Sequence, residues 1–338
     1  MINFRFHIVS LTAVLLALGI GLVLGTTFLD DAVQQTLKSQ LEGLQGSLNR
    51  ARDRNDDLQA QLDQYKDEAS AMNSQLGERL FRGLLTGDPV LVVSTRGVQE
   101  ELVDNVMQSL SQADANLVGV WWLTDRLSLD DDSEVTDLSQ ALDTSIDDKD
   151  RLEQKLVTEL GDAMFGAADV PTDPPLGPAA ESPTAAPAEP ALLSRLHEAG
   201  FVDYQMPEGV DGDVVMLPTS GLRIVIVDGP GAAIPASQLL QPVLANLTDD
   251  GPASVVAVQP VLRPQDRQDD ATPLLVSLVR GDDQLKERLA TVDNLDRVSG
   301  RVSLVLATVD AAPGGPVIGH YGTGDGASRE LPPPAGDG

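Results

Sequence analysis

The most hydrophobic part of the chain is a continuous apolar run close to the N-terminus. Residues 8–29 include no charged residue and are rich in Leu, Val, Ile and Ala. A helix needs roughly 20 apolar residues to cross a bilayer, and the run has this length. Arg5 precedes the run, and Asp30 and Asp31 follow it. The positive-inside rule therefore predicts a single-pass cell-membrane protein with residues 1–7 in the cytoplasm and the C-terminal domain outside it.

A cleaved signal peptide is the alternative interpretation of this run. A signal peptide would have a small-x-small cleavage site at the end of this run, but residues 27–30 are Thr-Phe-Leu-Asp. Their sequence favours retention of the run as an anchor. Ala17, Gly21 and Gly25 recur at every fourth position. Such a stripe lets two membrane helices approach closely, although Gly and Ala are also common in membrane helices that do not pair. Gly21 and Gly25 are therefore candidate dimer contacts.

After the apolar run, apolar residues recur alternately every four and every three positions. This heptad seam consists of Leu37, Leu41, Leu44, Leu48, Ala51, Asn55, Leu58, Leu62, Tyr65, Ala69, Met72 and Leu76. A seam of about five heptads is typical of a coiled coil, which we predict over residues 30–82.

Asn55 occupies an a position of this seam between leucine layers. A buried Asn at a pairs with its own copy and favours a parallel dimer in register. Two copies anchored in one membrane would also be parallel. The candidate dimerisation residues of the stalk are Leu41, Leu44, Leu48, Asn55, Leu58 and Leu62. The alternative is an intramolecular helix whose seam packs on the globular domain.

The region that follows shows short apolar runs between helical patterns. The runs Val90–Val93 and Leu117–Leu123 flank a helical pattern over residues 98–112, which indicates a βαβ unit. Continuous apolar runs are typical of strands buried on both faces, as in parallel sheets. Two polar helical stretches follow, near Glu134–Leu142 and Asp148–Phe165.

Residues 169–190 are dominated by Pro, Ala, Asp and Glu and predict a linker or insertion. The regular pattern then resumes. It predicts helices at Leu192–Ala199, Pro235–Leu247 and Asp283–Ala290, and strands at Val214–Leu217, Leu222–Val227, Ser254–Val258, Leu274–Leu278 and Val302–Thr308. The fold prediction is a mostly parallel α/β sheet domain in two parts, 88–168 and 191–326, with a flexible tail over 327–338.

Composition restricts the partners of this domain. The chain has a net charge of −29. Binding to nucleic acid needs clustered Lys and Arg, so we predict that nucleic acid is not a partner. There is no cysteine, so disulfides, thiolate metal sites and Cys nucleophiles are excluded.

Motifs for catalysis are missing from the sequence. No GxSxG elbow, HExxH helix or P-loop is present, and we predict that the chain is not an enzyme. Residues 228–231 form a DGPG turn between a predicted strand and helix, where α/β folds bind phosphates. Only two glycines of the fingerprint are present and Pro230 removes a backbone donor, so a tight turn with Pro235 in the first helical turn is the favoured interpretation. The acidic run 130–132 suits either a hard cation or a solvated helix start.

Metal-binding residues are few and scattered. The three histidines are His7, His197 and His320, and the methionines form no MxxM or MxM cluster. The segment His320–Gly324 combines scarce His and Tyr residues with glycines, and it could line a pocket or close over the sheet edge. His320 is the one candidate metal ligand.

Several segments resemble the actinobacterial copper transporter (MctB-like) family. They are His7, Val9–Leu11, Ala13–Val14, Leu16–Leu18, Val23–Gly25, Gly200–Phe201, Tyr204–Gln205, Thr291–Asn294, Asp296, Gly300–Val302, Val305–Ala307 and Gly319–Gly324. The resemblance covers nearly the whole chain in the same order of anchor, coiled coil and α/β domain.

This resemblance implies a role in copper transport, efflux and homeostasis at the cell envelope, with copper as the metal and with family members described as outer-membrane proteins. The alternative function is a membrane-anchored coiled-coil scaffold or adaptor for an envelope protein partner, without transport activity. Copper binding would favour the first function. Partner capture that depends on the heptad seam would favour the second.

Overall fold

The computed structural model describes residues 4–165, 191–207, 217–218, 220–246, 254–262, 272–313 and 317–332. In the first helix, side chains are described for 5–25, 38, 40–61, 64 and 80. The chain divides into two compact units, Met1–Met72 and Asn73–Gly338.

One long helix, α1, spans Phe4–Leu80, and its residues up to Met72 belong to the first unit. Its segment Arg5–Gly25 has a mean hydropathy of 2.5 and no buried residues. By length and composition this segment could cross a membrane. The predicted N-terminal apolar helix is therefore present, and the Thr12 hydroxyl within it donates to the Ile8 carbonyl at 2.8 Å.

The seam leucines of α1 are exposed in the single chain. Leu41, Leu44, Leu48 and Leu58 have exposed fractions of 57, 68, 53 and 57%. The Leu62 side chain lies outside the described residues. Burial of an exposed leucine against a partner helix would remove apolar area from water and stabilise the pair. This face of α1 therefore has apolar area available for a partner helix. The coiled coil itself stays a prediction.

The second unit contains a seven-stranded sheet. Its strands are β1 Pro89–Thr95, β2 Asn116–Leu123, β3 Val202–Gln205, β4 Arg223–Val227, β5 Val255–Val258, β6 Ala290–Val292 and β7 His320–Tyr321. The strand order is β3-β2-β1-β4-β5-β6-β7. Only β3 runs antiparallel to its neighbour within this sheet. The prediction of a mostly parallel α/β sheet is confirmed.

Helices cover both faces of this sheet. They are α2 Glu100–Gln112, α3 Asp132–Ala141, α4 Lys149–Phe165, α5 Ala191–Glu198, α6 Leu240–Ala245, α7 Leu275–Gly281 and α8 Val298–Asp310. One apolar cluster joins α2 and α8 to the sheet, and the other joins α3–α7 to its opposite face. Val90 and Val92 belong to the first cluster, and Leu91 and Val93 to the second. Because both faces are buried, the strands are continuously apolar.

Two of the predicted strands are helices. Leu274–Leu278 lies within α7 and its flank, and Val302–Thr308 lies within α8. In α8 the buried residues are Gly300, Ser303, Leu304, Val305, Ala307 and Thr308, and their spacing of three and four is helical. The prediction was wrong because a short apolar run does not distinguish a buried strand from a buried helix.

Two predicted helices are much shorter or absent. Asp283–Ala290 contains only a 3-10 turn at Leu285–Glu287, and its last residue begins β6. The predicted helix Pro235–Leu247 is limited to α6, which begins at Leu240. Pro242 has no N–H to donate, so the helix can hold it only in the first turn, where N–H groups have no intrahelical acceptor.

Other predictions lie partly or wholly outside the described residues. These are the Pro-rich segment 169–190 and all but the last residue of the predicted strand Val214–Leu217. Of the tail predicted over 327–338, Ser328 and Arg329 donate backbone hydrogen bonds to the His320 carbonyl.

Candidate functional site

A buried ion pair lies at the carboxyl end of β6, next to β7. It joins the Arg280 guanidinium, at the end of α7, to the Asp293 carboxylate, which follows β6. Both side chains are only 4% exposed. A buried charge is costly unless it is paired and hydrogen-bonded, so the remaining donors and acceptors of both groups need partners.

The neighbouring loop supplies those partners. Arg280 Nε donates to Thr291 Oγ1 at 2.8 Å, and Nη2 donates to the Tyr321 carbonyl at 2.9 Å. Asp293 accepts the backbone N–H groups of Thr323 and Gly324 at 2.7 and 2.9 Å. We call Arg280, Thr291, Asp293, His320 and the loop 321–324 the Arg280 network. It fixes the loop after β7 to the end of β6.

Glycine is required within this loop. Gly322 has a φ of 130°, and a Cβ there would lie 2.1 Å from Asp293 Oδ1. L-residues with a side chain rarely adopt such an angle. The glycines of the segment His320–Gly324 therefore allow the backbone to wrap closely around a carboxylate.

His320 extends the network by one hydrogen-bonded step. Its Nδ1 lies 2.9 Å from Thr291 Oγ1, and its Nε2 lies 2.9 Å from the Lys286 carbonyl. The carbonyl can only accept, so Nε2 carries the proton and Nδ1 accepts from the Thr291 hydroxyl. Burial lowers the pKa of His320, with the positive charges of Arg280 and Lys286 acting in the same direction. The neutral ring is therefore favoured, and both of its nitrogens contact protein groups.

A polar cavity of about 260 Å³ lies beside the network. Gln259, Ser277, Asp293 and Thr323 are among its lining residues. Gln259 is 4% exposed, and its Oε1 has no hydrogen-bond partner among the described residues. This oxygen is available to accept a hydrogen bond from a small polar molecule.

The DGPG turn follows β4, at the point where the strand order reverses between β1 and β4. Asp228 Oδ2 accepts the Leu275 N–H at the start of α7 at 2.7 Å, and Oδ1 accepts the Gly229 N–H at 2.8 Å. Burial raises the pKa of Asp228. A Cβ on Gly97, after β1, would lie 2.1 Å from the Gly231 carbonyl. The two loops therefore touch at the position where doubly wound sheets hold a phosphate.

The other candidate residues are separate from this site. His7 lies on α1, and His197 Nδ1 contacts the Val202 carbonyl at 2.8 Å. Met107 and Met206 line one cavity but pack against opposite apolar clusters. Among the described residues, no three His, Asp or Glu side chains are grouped as metal ligands.

The acidic run 130–132 marks the start of a helix. Asp131 is the N-cap of α3, and Glu134 completes a capping box with it. Carboxylates are stabilised at this end of the helix dipole. The interpretation as a helix start is therefore confirmed.

Together these features define an α/β protein with an N-terminal helix of membrane-spanning length and a buried ion-pair network at one sheet edge. Residues 1–332 match the family described as "Copper transport outer membrane protein, MctB". The chain belongs to this MctB family, which confirms the resemblance.

Curated relatives match over almost their full length. The chain is 28% identical to the protein named Copper transporter MctB of Mycobacterium tuberculosis, over 97% of this chain and 98% of that protein. The protein of the same name from Mycobacterium leprae is 27% identical over 98% of this chain and 100% of that protein. These relatives are named as transporters and not as enzymes.

Residues that carried the resemblance meet in the Arg280 network. Arg280 contacts both Thr291 and Asp293, and Thr291 in turn contacts His320 directly. Arg280 itself was missed in the sequence, because its segment was predicted to follow a strand. No motif around it indicates the ion pair.

Proposed function

We propose that the chain is a membrane-anchored envelope protein of copper transport and copper homeostasis. The match to the MctB family over residues 1–332 carries this proposal. The matched residues include both the apolar helix and the α/β unit. The function named for the relatives is therefore proposed for the whole matched region of this chain. Copper is the cargo in this proposal, and no resident copper ion is required.

The topology follows from the charge pattern around the anchor. We propose a single span over 8–29, with the N-terminus in the cytoplasm and the α/β domain outside the cell membrane. Arg5 before the span and Asp30 after it support this orientation. The family description places its members in an outer membrane, which would also leave the α/β domain in the envelope.

The proposed protein acts as a parallel homodimer. The exposed leucines of α1 support a coiled-coil stalk over 30–82. The composition of residues 169–190 separately supports a Pro-rich linker within the α/β domain. A Cβ added at Gly21 or Gly25 would meet no atom within 4 Å, so this face of the span is open to a second helix.

Direct copper binding would be centred on His320 in this proposal. Either ring nitrogen would first have to leave its present partner, Thr291 or Lys286. The alternative function, a scaffold for an envelope partner, is favoured by the exposed heptad seam. A titration of the full chain and its His320→Asn variant with Cu(I) tests direct binding, since a copper site at His320 would lose affinity in the variant.

Copper accumulation in cells tests the proposed function. In a bacterial host that lacks its own MctB relative, we expect expression of this chain to lower cellular copper and to restore growth at raised copper. Growth at raised zinc serves as the control, because a general envelope defect would respond to both metals. Unchanged copper content despite correct membrane insertion would contradict the proposal.

A further inference from the structure

The described part of the stalk, residues 40–61, separates its charges between two surfaces. In the heptad with Leu41 and Leu48 at a, the acidic residues lie at b, c and f, away from the seam: Glu42, Asp53, Asp56 and Asp57. The e and g positions that flank the seam hold Gln40, Gln45, Ser47, Arg52, Arg54, Gln59 and Gln61. A chain with a net charge of −29 therefore keeps acids off the flanks of its exposed leucines.

The residues at e and g determine which alignments of two parallel copies avoid contacts between like charges. In a parallel coiled coil, a g residue faces the e residue five positions later in the partner helix. With the two copies in register, Arg54 at g faces Gln59 at e. Ser47 faces Arg52 in the same way. No pair within residues 40–61 brings like charges together.

A slip by one heptad changes these contacts. The next hydrophobic match places residue 48 of one copy level with residue 55 of the other. Arg54 of one copy then faces Arg52 of the other, and Asn55 faces Leu48. Opposed like charges are unfavourable, and an Asn buried against Leu lacks its hydrogen-bond partner. Both penalties come from the same two adjacent residues.

We propose that Arg54 and Asn55 together fix the register of a parallel stalk dimer, with a second copy of this chain as the partner. This inference rests on the homodimer in the proposed function. The seam leucines supply the apolar area of the interface, and the Arg54–Asn55 pair excludes the slipped alignments. In-register pairing holds the membrane spans and the α/β units of both copies at matching positions along the helix pair.

Cysteine cross-linking of the full chain in membranes tests this inference. The natural sequence has no cysteine, so each introduced thiol is the only one present. Leu44 and Ala51 both occupy d positions, one heptad apart. Two differently tagged copies carry Leu44→Cys or Ala51→Cys and are oxidised with diamide. Asp53→Cys, at an outward f position, is the matched control.

In-register pairing joins Leu44→Cys copies to each other. We expect this product to exceed the mixed Leu44→Cys to Ala51→Cys product by at least about tenfold, since an unpaired buried Asn shifts an equilibrium by that order. In the Arg54→Gln, Asn55→Val background, the mixed product should rise at least about fivefold. Far-ultraviolet circular dichroism confirms that helicity is retained.

Equal mixed and like products in the natural background would overturn the register assignment and leave the dimer intact. An unchanged mixed product in the double variant would overturn the roles of Arg54 and Asn55. Cross-linking of Leu44→Cys no stronger than that of Asp53→Cys would overturn the dimer itself. Copper accumulation in cells is measured separately, so failure of the copper function is distinguishable from each of these outcomes.

Discussion

At the scale of single residues, the Arg280–Asp293 pair concentrates more interactions than any other group described in the sheet edge. The carboxylate accepts two backbone N–H groups of the loop in addition to the guanidinium. The guanidinium also donates to Thr291 and Tyr321. Removal of one member of a buried pair leaves the other charge without compensation, which costs more than the pair itself contributes.

Replacement of Arg280 by Met should therefore destabilise the α/β unit strongly. We expect a loss of about 3–5 kcal/mol in the free energy of unfolding. Urea denaturation followed by tryptophan fluorescence measures this change. Trp121 and Trp122 are buried in β2 with exposed fractions of 0 and 2%, so their emission reports on this unit.

Two further variants separate charge from packing. Arg151→Met removes an exposed arginine from α4 and should change the free energy of unfolding by less than about 0.5 kcal/mol. Arg280→Met combined with Asp293→Asn should be more stable than Arg280→Met alone. The unpaired charge is gone and Oδ1 still accepts the Thr323 N–H, while the lost hydrogen bond from the Gly324 N–H costs less than a buried unpaired charge. If the double variant were the less stable one, the uncompensated charge would not be the cause.

The sequence could indicate part of this site. Asp293, His320 and the following glycines were recognisable from the family resemblance and from the scarcity of His and Tyr. The contacts of His320 could not be recognised from the sequence, because its partners Thr291 and Lys286 are 29 and 34 residues away. Contacts of this kind follow from strand order, and a single sequence does not determine strand order.

At the scale of elements, α8 shows why one apolar run was misassigned. Its buried face includes Ser303 and Thr308, whose hydroxyls donate to the Glu330 and Leu304 carbonyls. Its first turn packs so closely on the loop after β6 that a Cβ on Gly300 would lie 1.9 Å from the Asn294 carbonyl oxygen. The close approach of this helix depends on a glycine.

Substitution of Gly300 by Ala should displace α8 from that loop. We expect a destabilisation of about 1–3 kcal/mol, the usual cost of forcing an extra methyl group into a packed site. Gly281→Ala, in the last turn of α7, is the matched control because no atom lies within 4 Å of its added Cβ. Equal stabilities for the two variants in urea would show that the first turn of α8 tolerates the methyl group.

The fold was predictable where sequence period and burial agree. Strands β1, β2, β4 and β5 are continuous apolar runs bounded by turn residues and were found. Strands β6 and β7 have only three and two residues, too few for a recognisable period. Strand β3 is as long as β5, but it includes Asp203 and Gln205 and is therefore not a continuous apolar run. Strands β3 and β7 are the two edges of the sheet, and β6 lies next to β7. These segments become strands because they pair with a neighbouring strand.

At the scale of the whole molecule, charge is the dominant property. The chain has 52 acidic and 23 basic residues, and the exposed acids repel one another in the folded state more than in the expanded unfolded chain. Ion pairs relieve this repulsion locally, as between Arg96 and Asp203 at 2.8 Å. The excess of acids leaves a net repulsion that mobile ions can screen.

Salt should therefore stabilise the folded protein. The screening length falls from about 30 Å at 0.01 M to about 8 Å at 0.15 M ionic strength, so we expect the unfolding temperature to rise when NaCl is increased over this range. Tryptophan fluorescence of the full chain in a non-ionic detergent measures it, and sucrose at matched osmolality is the control. Surface ion pairs weaken under the same conditions, so the sign of the shift shows which contribution is larger. A fall in unfolding temperature with salt would mean that ion pairs such as Arg96–Asp203 outweigh the general repulsion.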